Sequence, residues 1–381
     1  MPTVVRAQLS LVELPLVHAF RTSSHSKQTL THILVTLTAD DGGVGWGECV
    51  SPAHPYYNEE NVDTCWIMLE RYFLPALIGR AWTHPEQAYR YGDRIRGNRF
   101  ARAALDAACW DLWARAEGVA VAAALGATQP RIEAGVSLGI EATLDDLLGQ
   151  VAEFLARGYR RVKLKIAPGW DVAAVAAVRD RFGDIALQVD ANAGYPINAV
   201  SLGVLQELDR FGLLMIEQPF AADDLAAHAW AQRMLHTPLC LDESITTPAM
   251  ARTALDLDAA RIVNIKVSRL GGIVAAREVH DLCHTRAVPA WCGGMHEFGV
   301  GRAANIAVAA LPGFTLPSDI SGSDKYFERD LVTPVITATD GLVEVAYDRP
   351  GFGFEVDTQL VADHTRRTAT IDTAVINKES R

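Results

Sequence analysis

Apolar runs of strand length recur about every 25 residues from Ile132 to Asp319 and alternate with amphipathic stretches of helical period. The strand candidates are EAGVSLG, RRVKLKI, IALQVDAN, GLLMIEQ, PLCLDES, RIVNIKV, AVPAWCG and FTLPSD. Glycine stands where the helical stretches should end, as Gly158 does after LDDLLGQVAEFLAR. Strands that alternate with helices in this way predict either a (β/α) barrel or a doubly wound parallel sheet.

Polar side chains stand at the ends of several successive strand candidates. They are Lys163 and Lys165, Asp190, Glu217, Asp242 and Lys266. An open sheet concentrates its site at one switch point, whereas all strands of a barrel end at the same mouth. The distribution therefore favours the barrel, with an active site at that mouth. Three carboxylates flanked by lysines predict a cation site with acid and base groups on both sides.

Side chains two residues apart on a strand point to the same face. The pairs that should share a face are Lys163 with Lys165, Asp190 with Asn192, and Asn264 with Lys266. Glu243 follows Asp242 directly, so we expect its side chain to point away from the interior unless the strand is already turning there. Asp242 is then the ligand, and Glu243 is at most a residue that supports it. Taken singly, a carboxylate at a strand end also fits a helix cap or a solvated loop. Three at this spacing are better explained by a joint site.

The chain on either side of the barrel has a different pattern. Residues 1–125 begin with alternating strands and continue with a helix in ARAALDAACWDLWARAEG, which predicts a separate α+β domain. We assign residues 126–320 to the barrel. Short strands return in residues 321–381, as in TPVITATDGLVEVA, and we expect this segment to pack back on the first domain.

Composition narrows the class of partners. A net charge of −11 argues against nucleic acid and anionic membranes, so an anionic small-molecule substrate needs a local positive centre. The lysines and a bound cation would supply that centre. The six cysteines form no CxxC pair and are typical of reduced, buried thiols. No apolar run approaches the length of a membrane span, and cytoplasmic residence is the expectation.

Four further features give weaker signals. The glycines of WCGGMHEFGVGR resemble a phosphate-cradling loop before a helix. His296 in that stretch could reach the site or serve packing. Arg269 could lower the pKa of Lys266 or be solvated. The aromatic loop that contains Tyr57 fits a lid or an ordinary surface turn equally well.

Five motifs occur in a fixed order across the predicted barrel. They are K-x-K at Lys163 to Lys165, D-A-N at Asp190 to Asn192, I-E-Q-P from Ile216, D-E-S at Asp242 to Ser244 and N-I-K at Asn264 to Lys266. With them, the chain resembles the muconate-lactonising-enzyme subgroup of the enolase superfamily. The stretches WCGGMHEFGVGR and PSDISGSDKYF are similar to the group of N-acylamino acid (N-succinylamino acid) racemases and o-succinylbenzoate synthases. The resemblance implies a modified (β/α)7β TIM-type barrel with an N-terminal α+β capping domain.

The resemblance also implies a cofactor and roles for the lysines. Asp190, Glu217 and Asp242 would hold Mg²⁺, for which Mn²⁺ or another divalent cation could substitute. Lys165 and Lys266 would act as acid and base on opposite faces of a small carboxylate substrate. Lys163 would lower the pKa of Lys165. A homo-oligomer, from dimer to octamer, is expected.

Substrate contacts are predicted from both domains. They are Ser137, Asn192, Tyr57, Met295 and His296. The segment HAFRTSSH from His18 would close over the pocket together with the loop that carries Tyr57. His296 and Phe298 depart from the Leu and Thr that are common in the group, and both lie in the acyl-binding region.

Four functions are compatible with this pattern. Racemisation of N-acylamino acids is the first prediction, because two lysines on opposite faces can remove and return an α-proton. The alternative is o-succinylbenzoate synthase, a dehydrating lyase in which Lys165 alone is base and then acid, or a protein with both activities. Dipeptide epimerisation is less favoured, since PSDIS lacks the usual D-x-D. A catalytically silent binding barrel is disfavoured by the retention of every ligand and both lysines.

Overall fold

The computed structural model describes residues 3–21 and 26–373. The N-terminal elements are β1 (Val4–Arg21), β2 (Ser26–Ala39), β3 (Val44–Cys49), α1 (Val62–Met68), α2 (Leu74–Leu77), α3 (Pro85–Arg90), α4 (Arg99–Glu117) and α5 (Val121–Ala124). As predicted, the long helix α4 ends at Gly118, whose φ of 69° is a left-handed conformation that glycine adopts without strain. β3 packs so closely on α4 that a Cβ at position 47 would collide with the carbonyl oxygen of Ala104. Glycine at position 47 permits this approach.

Strands and helices alternate in the middle of the chain. These elements are β4 (Arg131–Glu133), β5 (Val136–Leu138), α6 (Leu144–Ala156), β6 (Arg161–Lys165), α7 (Val172–Phe182), β7 (Ala186–Asp190), α8 (Ala199–Leu208), β8 (Ile216–Glu217), α9 (Leu225–Gln232), β9 (Leu239–Leu241), α10 (Pro248–Asp256), β10 (Ile262–Ile265), α11 (Val267–Leu270), α12 (Ile273–Thr285), β11 (Ala290–Cys292) and α13 (Gly299–Ala309). Strands β5 to β11 pair in parallel in chain order. Sequential parallel pairing with an intervening helix is the arrangement of a barrel.

The segment predicted as the eighth strand closes the sheet without being a regular strand. Thr315 and Asp319 donate backbone hydrogen bonds to β11, at Ala290 (3.2 Å) and Cys292 (2.9 Å). On the other side, Ser318 donates to Glu133 at 2.8 Å. Pro317 lies between these bonds and has no N–H to donate, so the ladder is interrupted there. The prediction of an eighth regular strand is wrong, but its position in the barrel is filled.

The C-terminal elements are β12 (Val332–Thr333), β13 (Ala338–Thr339), β14 (Leu342–Glu344), β15 (Glu355–Val356), α14 (Thr358–His364) and β16 (Thr365–Asp372). β16 pairs antiparallel with β1, so the first sheet has the order β16-β1-β2-β3. β14 pairs antiparallel with β13 and with β4, the strand that precedes the parallel sheet in the chain. The fold class, an α/β TIM-type barrel with an antiparallel cap completed by the C-terminal segment, is thus confirmed. The exact domain boundaries stay a prediction.

Two apolar cores correspond to this division. One lies in and around the barrel, and the other lies between the cap sheet and its helices. All six cysteines are buried and free of disulfides, as expected from their spacing. Within the described ranges, no helix has the length and apolarity needed to cross a bilayer.

Candidate active site

A cavity opens where the barrel strands end, and the cap covers one side of it. The predicted site residues that line this cavity are Tyr57, Ser137, Lys163, Lys165, Asn192, Lys266, Met295 and His296. Lys163 and Lys165 both reach it from β6, as the period of the strand predicts. Lys266 reaches it from the residue after β10, four strands further round the sheet. The two lysines proposed as acid and base therefore stand on different walls of one cavity.

The three predicted ligands lie on adjacent strands just below this lining. Asp190 and Glu217 are register partners at the ends of β7 and β8, and Asp242 directly follows β9. All three are almost completely buried. Each carboxylate binds an ammonium or guanidinium group. Asp190 accepts from Lys165 Nζ at 2.6 Å and Asp242 accepts from Lys266 Nζ at 2.8 Å.

Lys163 is surrounded by carboxylates. Its Nζ lies 2.5 Å from Asp319 Oδ2, 3.1 Å from Glu217 Oε2 and 3.3 Å from Asp190 Oδ2. Burial alone would lower the pKa of Lys163, but these carboxylates outweigh burial and raise it above its ordinary value. The same holds for Lys266, whose pKa is raised by Tyr57 and nearby carboxylates against the effect of burial. The lowering of the Lys266 pKa that Arg269 could have caused is therefore not seen.

The pKa values of Glu217 and Asp190 are shifted in opposite directions in this cluster. Burial, and then the negative charge of Asp190, raises the pKa of Glu217. At Asp190 burial also acts to raise the pKa, but Lys165 and Lys163 outweigh it and hold the pKa below its usual range. Asn264 Nδ2 and Gln188 Nε2 donate to Glu217 at 2.7 and 3.1 Å and fix its orientation. Burial and Asp190 thus disfavour the negative charge of Glu217, although Lys163 Nζ lies 3.1 Å from it.

The residue types fit a hard divalent cation. Asp190, Glu217 and Asp242 offer only oxygen donors from consecutive strand ends, which is the ligand type that Mg²⁺ prefers. The disfavoured negative charge at Glu217 is what such a cation would relieve. In the arrangement described, however, lysines stand between the carboxylates, and no three His, Cys, Asp or Glu side chains of the described residues are grouped closely enough to hold a metal. The ligand set stays a prediction.

Glu243 lies on the opposite side of the chain from the one expected. Its side chain lines the cavity and accepts a hydrogen bond from Asn192 Nδ2 at 2.9 Å. The strand alternation fails here because β9 ends at Leu241 and the chain already turns at Asp242. Asn192 also accepts from Lys165 Nζ at 2.6 Å, so it connects one lysine with Glu243.

Tyr57 reaches the site from the cap. Its hydroxyl lies 3.4 Å from both Asp242 Oδ1 and Lys266 Nζ, and 3.3 Å from Arg269 Nη1. Arg269 is buried rather than solvated, contacts Asp242 directly and donates to the carbonyl oxygen of Asn264 at 2.6 Å. Of the predicted segment HAFRTSSH, residues 22–25 lie outside the described residues, and the side chains from position 19 onward are likewise not described.

The loop of Met295 and His296 forms another wall, together with Ser137 and Tyr326. Glu297 Oε1 accepts from the backbone N–H of Met295 at 2.6 Å and holds the loop. The His296 ring lies 5.1 Å from the ring of Tyr326. His296 therefore belongs to the cavity and also packs against an aromatic neighbour.

The phosphate-cradle interpretation of the glycine-rich stretch is wrong. The backbone N–H groups of Phe298 and Gly301 at the start of α13 donate to Glu48 of the cap, at 2.9 and 2.7 Å. That of Gly299 donates to Asp330 at 2.9 Å. Carboxylates of the chain itself already occupy the positions that a phosphate would need.

Asp319 is a site residue that the sequence reasoning did not single out. It lines the cavity, and its carboxylate binds Lys163 and Arg161. Burial would raise the pKa of Asp319, but Arg161 and Lys163 outweigh burial and lower it. The signal was available, because Asp319 ends FTLPSD just as Asp190 ends its own strand. Tyr326 also lines the cavity without such a signal, and Tyr56 lines it from the aromatic loop that carries Tyr57.

Comparisons with known proteins agree with this architecture. A family model described as Enolase C-terminal domain-like matches residues 146–360, and the Mandelate racemase / muconate lactonizing enzyme N-terminal domain matches residues 5–126. The chain is 48% identical over 357 residues to the o-succinylbenzoate synthase of Geobacillus kaustophilus, covering 92% of this chain and 94% of the relative. It is 44% identical over 330 residues to the N-succinylamino acid racemase of an Amycolatopsis species, covering 86% and 89%.

A crystal structure of an enolase superfamily member from Listeria innocua is similar over nearly its whole length. The TM-score is 0.93 at 36% identity, and the match covers 98% of this chain and all of that one. The resemblance read from the motifs is confirmed.

Proposed function

The chain is an enzyme of the enolase superfamily, and we propose that it racemises N-succinylamino acids and related N-acylamino acids. The observation that carries this proposal is the placement of Lys165 and Lys266 on different walls of one cavity. β6 and β10 are separated by three strands in the parallel sheet, so the two amines approach a bound substrate from different sides. A proton removed on one face and returned on the other inverts the α-carbon.

The lysines perform the proton transfers. In one direction, Lys165 Nζ takes the α-proton and Lys266 delivers a proton to the opposite face, and in the other direction the roles exchange. Lys163, with three carboxylate neighbours, stays protonated and provides positive charge beside the substrate. Asn192, which binds both Lys165 and Glu243, holds the Lys165 side of the cavity.

A divalent cation completes the proposal. Asp190, Glu217 and Asp242 would hold Mg²⁺, or Mn²⁺ in its place. When bound, the cation supplies the positive charge that makes loss of a proton next to a carboxylate accessible near neutral pH. Asp190 and Asp242 bind the ammonium groups of Lys165 and Lys266 in the structure. If these carboxylates held a cation instead, both lysines would be free to contact the substrate.

The other residues that line the cavity would select the substrate. Tyr57 closes the cavity from the cap, and its hydroxyl sits over Lys266 and Asp242. Ser137, Met295 and His296 form the wall that we assign to the acyl group. This wall combines a hydroxyl, a thioether and an imidazole, which suits a short acyl chain with a polar end.

o-Succinylbenzoate synthase activity is the second candidate. The relative from Geobacillus kaustophilus, at 48% identity, carries that name, and the elimination needs the same cavity. In this reaction Lys165 would act as base and then as acid, while Lys266 stays a stabilising cation. The two functions therefore share every residue named above and differ in whether both lysines transfer protons.

Parallel assays on one preparation separate the two candidates. Racemisation of N-succinylamino acid enantiomers, followed by polarimetry, is compared with formation of o-succinylbenzoate, followed by absorbance, each in the presence of Mg²⁺. The racemase proposal expects the kcat/KM for racemisation to equal or exceed that for the elimination. Racemisation far slower than elimination would make the synthase the primary activity. Inactivity in both assays would contradict both candidates.

A further inference from the structure

Gln218, the residue after Glu217, is fully buried and has an unusual backbone conformation. Its φ is 39°, in the left-handed region that residues other than glycine rarely adopt. Its backbone N–H donates to Cys240 at 2.9 Å and its carbonyl oxygen accepts from Ala193 at 2.8 Å. The backbone of Gln218 thereby connects the ends of β7, β8 and β9. Strained conformations persist where surrounding contacts impose them, and they cluster at functional sites.

The side chain of Gln218 holds the turn that follows β9. Its Oε1 accepts from the backbone N–H groups of Asp242 (3.0 Å) and Ser244 (3.2 Å), and its Nε2 donates to Ser244 Oγ at 2.8 Å. This turn carries Asp242, a proposed cation ligand, and Glu243, which lines the cavity. One amide thus satisfies two backbone donors of the segment on which both carboxylates stand.

Two acceptors on one side, His228 Nε2 and the carbonyl oxygen of Phe220 at 3.1 Å from Gln218 Nε2, determine which way the Gln218 amide faces. His228 Nδ1 lies 2.7 Å from the carbonyl oxygen of Asp224, which requires Nδ1 to carry the proton. Nε2 is then an acceptor, 3.3 Å from both the Gln218 Nε2 and the backbone N–H of Phe220. An acceptor at this point selects the NH₂ end of the amide, so the oxygen is directed to Asp242 and Ser244.

We infer that Gln218 is a positioning residue, whose amide, oriented by His228 and by the carbonyl oxygen of Phe220, sets the Asp242–Ser244 turn and with it the carboxylates of Asp242 and Glu243. Gln218 does not line the cavity, so it acts through these neighbours. The link to catalysis rests on the proposed function, but the hold on the turn is a property of the fold that is measurable by itself.

The chain contains a matched control in Gln232, which is also fully buried and also binds β9. Gln232 Oε1 accepts from the backbone N–H of Leu239 at 2.7 Å, and its Nε2 lies 3.4 and 3.3 Å from the carbonyl oxygens of Leu235 and Thr237. It therefore holds the start of β9, whereas Gln218 holds its end. Gln218→Met and Gln232→Met remove comparable amide contacts at opposite ends of one strand.

Hydrogen exchange tests the hold on the turn directly. In Gln218→Met, the amides of the segment 242–245 should exchange about ten-fold faster than in the wild type, because two of them lose their acceptor. Gln232→Met should leave their exchange unchanged. Equal protection of the segment in both variants, or equal loss in both, would overturn the inference. This readout needs neither metal nor turnover.

Metal affinity tests the consequence for the site. Titration with Mn²⁺, followed by electron paramagnetic resonance, should show about 10- to 100-fold weaker binding in Gln218→Met and wild-type affinity in Gln232→Met. Unchanged Mn²⁺ affinity in Gln218→Met would contradict the positioning role. If the wild type binds no Mn²⁺, the cation of the proposed function fails instead, and hydrogen exchange still decides the inference.

Double mutants test the orienting role of His228. His228→Phe removes one of the two acceptors and leaves the carbonyl oxygen of Phe220, so the preference of the amide weakens and exchange in the segment 242–245 should accelerate. In the Gln218→Met background the same change should add no further acceleration, since there is no amide left to orient. Additive effects of the two substitutions would show that His228 acts independently of Gln218.

Discussion

Replacing Asp319 by Asn should destabilise the protein through two buried cations that lose their partner. The Asp319 carboxylate binds Arg161 Nη1 at 2.8 Å and Lys163 Nζ at 2.5 Å, and both cations are at most 3% exposed. Breaking a buried ion pair by removing one charge costs about 3–5 kcal/mol. We expect the lower end, about 3 kcal/mol, because Lys163 keeps Glu217 and Arg161 keeps the carbonyl oxygen of Pro317.

Thermal unfolding converts this free energy into a measurable shift. An unfolding entropy of about 2.1 cal/mol/K per residue gives about 0.8 kcal/mol/K for a chain of 381 residues. Asp319→Asn should therefore lower Tm by about 4 °C at pH 7. Asp256→Asn is the control, because its ion pair with Arg286 is exposed and should contribute at most about 1 kcal/mol. A decrease in Tm no larger than that of the control would refute the argument that Asp319 is needed to balance these cations.

Three further outcomes are expected. Chelator treatment should abolish activity and added Mg²⁺ should restore it, whereas full activity of the chelated protein would contradict the carboxylate site. Tyr57→Ala should raise KM more than it weakens Mn²⁺ binding, while equal effects on both would count against a closing role. Burial raises the pKa of Asp106 to about 7, so its folded-state pKa exceeds its unfolded value and stability falls as pH rises from about 4 to 7. The decrease in Tm between pH 5 and 8 should thus be smaller in Asp106→Asn, and an identical pH profile would contradict the assignment.

The barrel was predictable because its determinants are local. Each strand is a short apolar run and each helix an amphipathic one, so the alternation of β5 to β11 with helices is visible in the sequence. The cavity-facing pair Lys163 and Lys165 followed from the same reasoning, since a period of two needs only the strand itself. The helix α4 and its end at Gly118 were equally local.

The errors arose where the geometry depends on the end of a strand or on residues distant in the sequence. Strand periodicity gave the wrong direction for Glu243, because it holds only while the strand continues and β9 stops at Leu241. The glycine-rich loop resembled an anion site because nothing nearby in the sequence shows that Glu48, some 250 residues earlier, caps the helix. The role of Gln218 was invisible for the same reason, since its partners belong to the next strand unit.

The raised pKa values of Lys163 and Lys266 also depend on distant partners. The sequence places lysines near lysines and suggests mutual repulsion, but the fold interposes carboxylates between them. Asp319 contributes to this at Lys163 and Tyr57 does so at Lys266, and each comes from a segment remote from the lysine that it influences. Charge balance in a cavity depends on every wall, so it cannot be deduced from one strand.

Hydrogen exchange at the substrate α-carbon tests the two-lysine account most directly. In deuterated water with Mg²⁺, the wild type should incorporate deuterium into both enantiomers of an N-succinylamino acid. Lys266→Ala should abolish interconversion but still exchange the enantiomer whose α-proton faces Lys165, and Lys165→Ala should exchange only the other one. NMR of the recovered substrate gives the deuterium content of each enantiomer. Exchange of both enantiomers by either single variant would contradict the assignment of one lysine to each face.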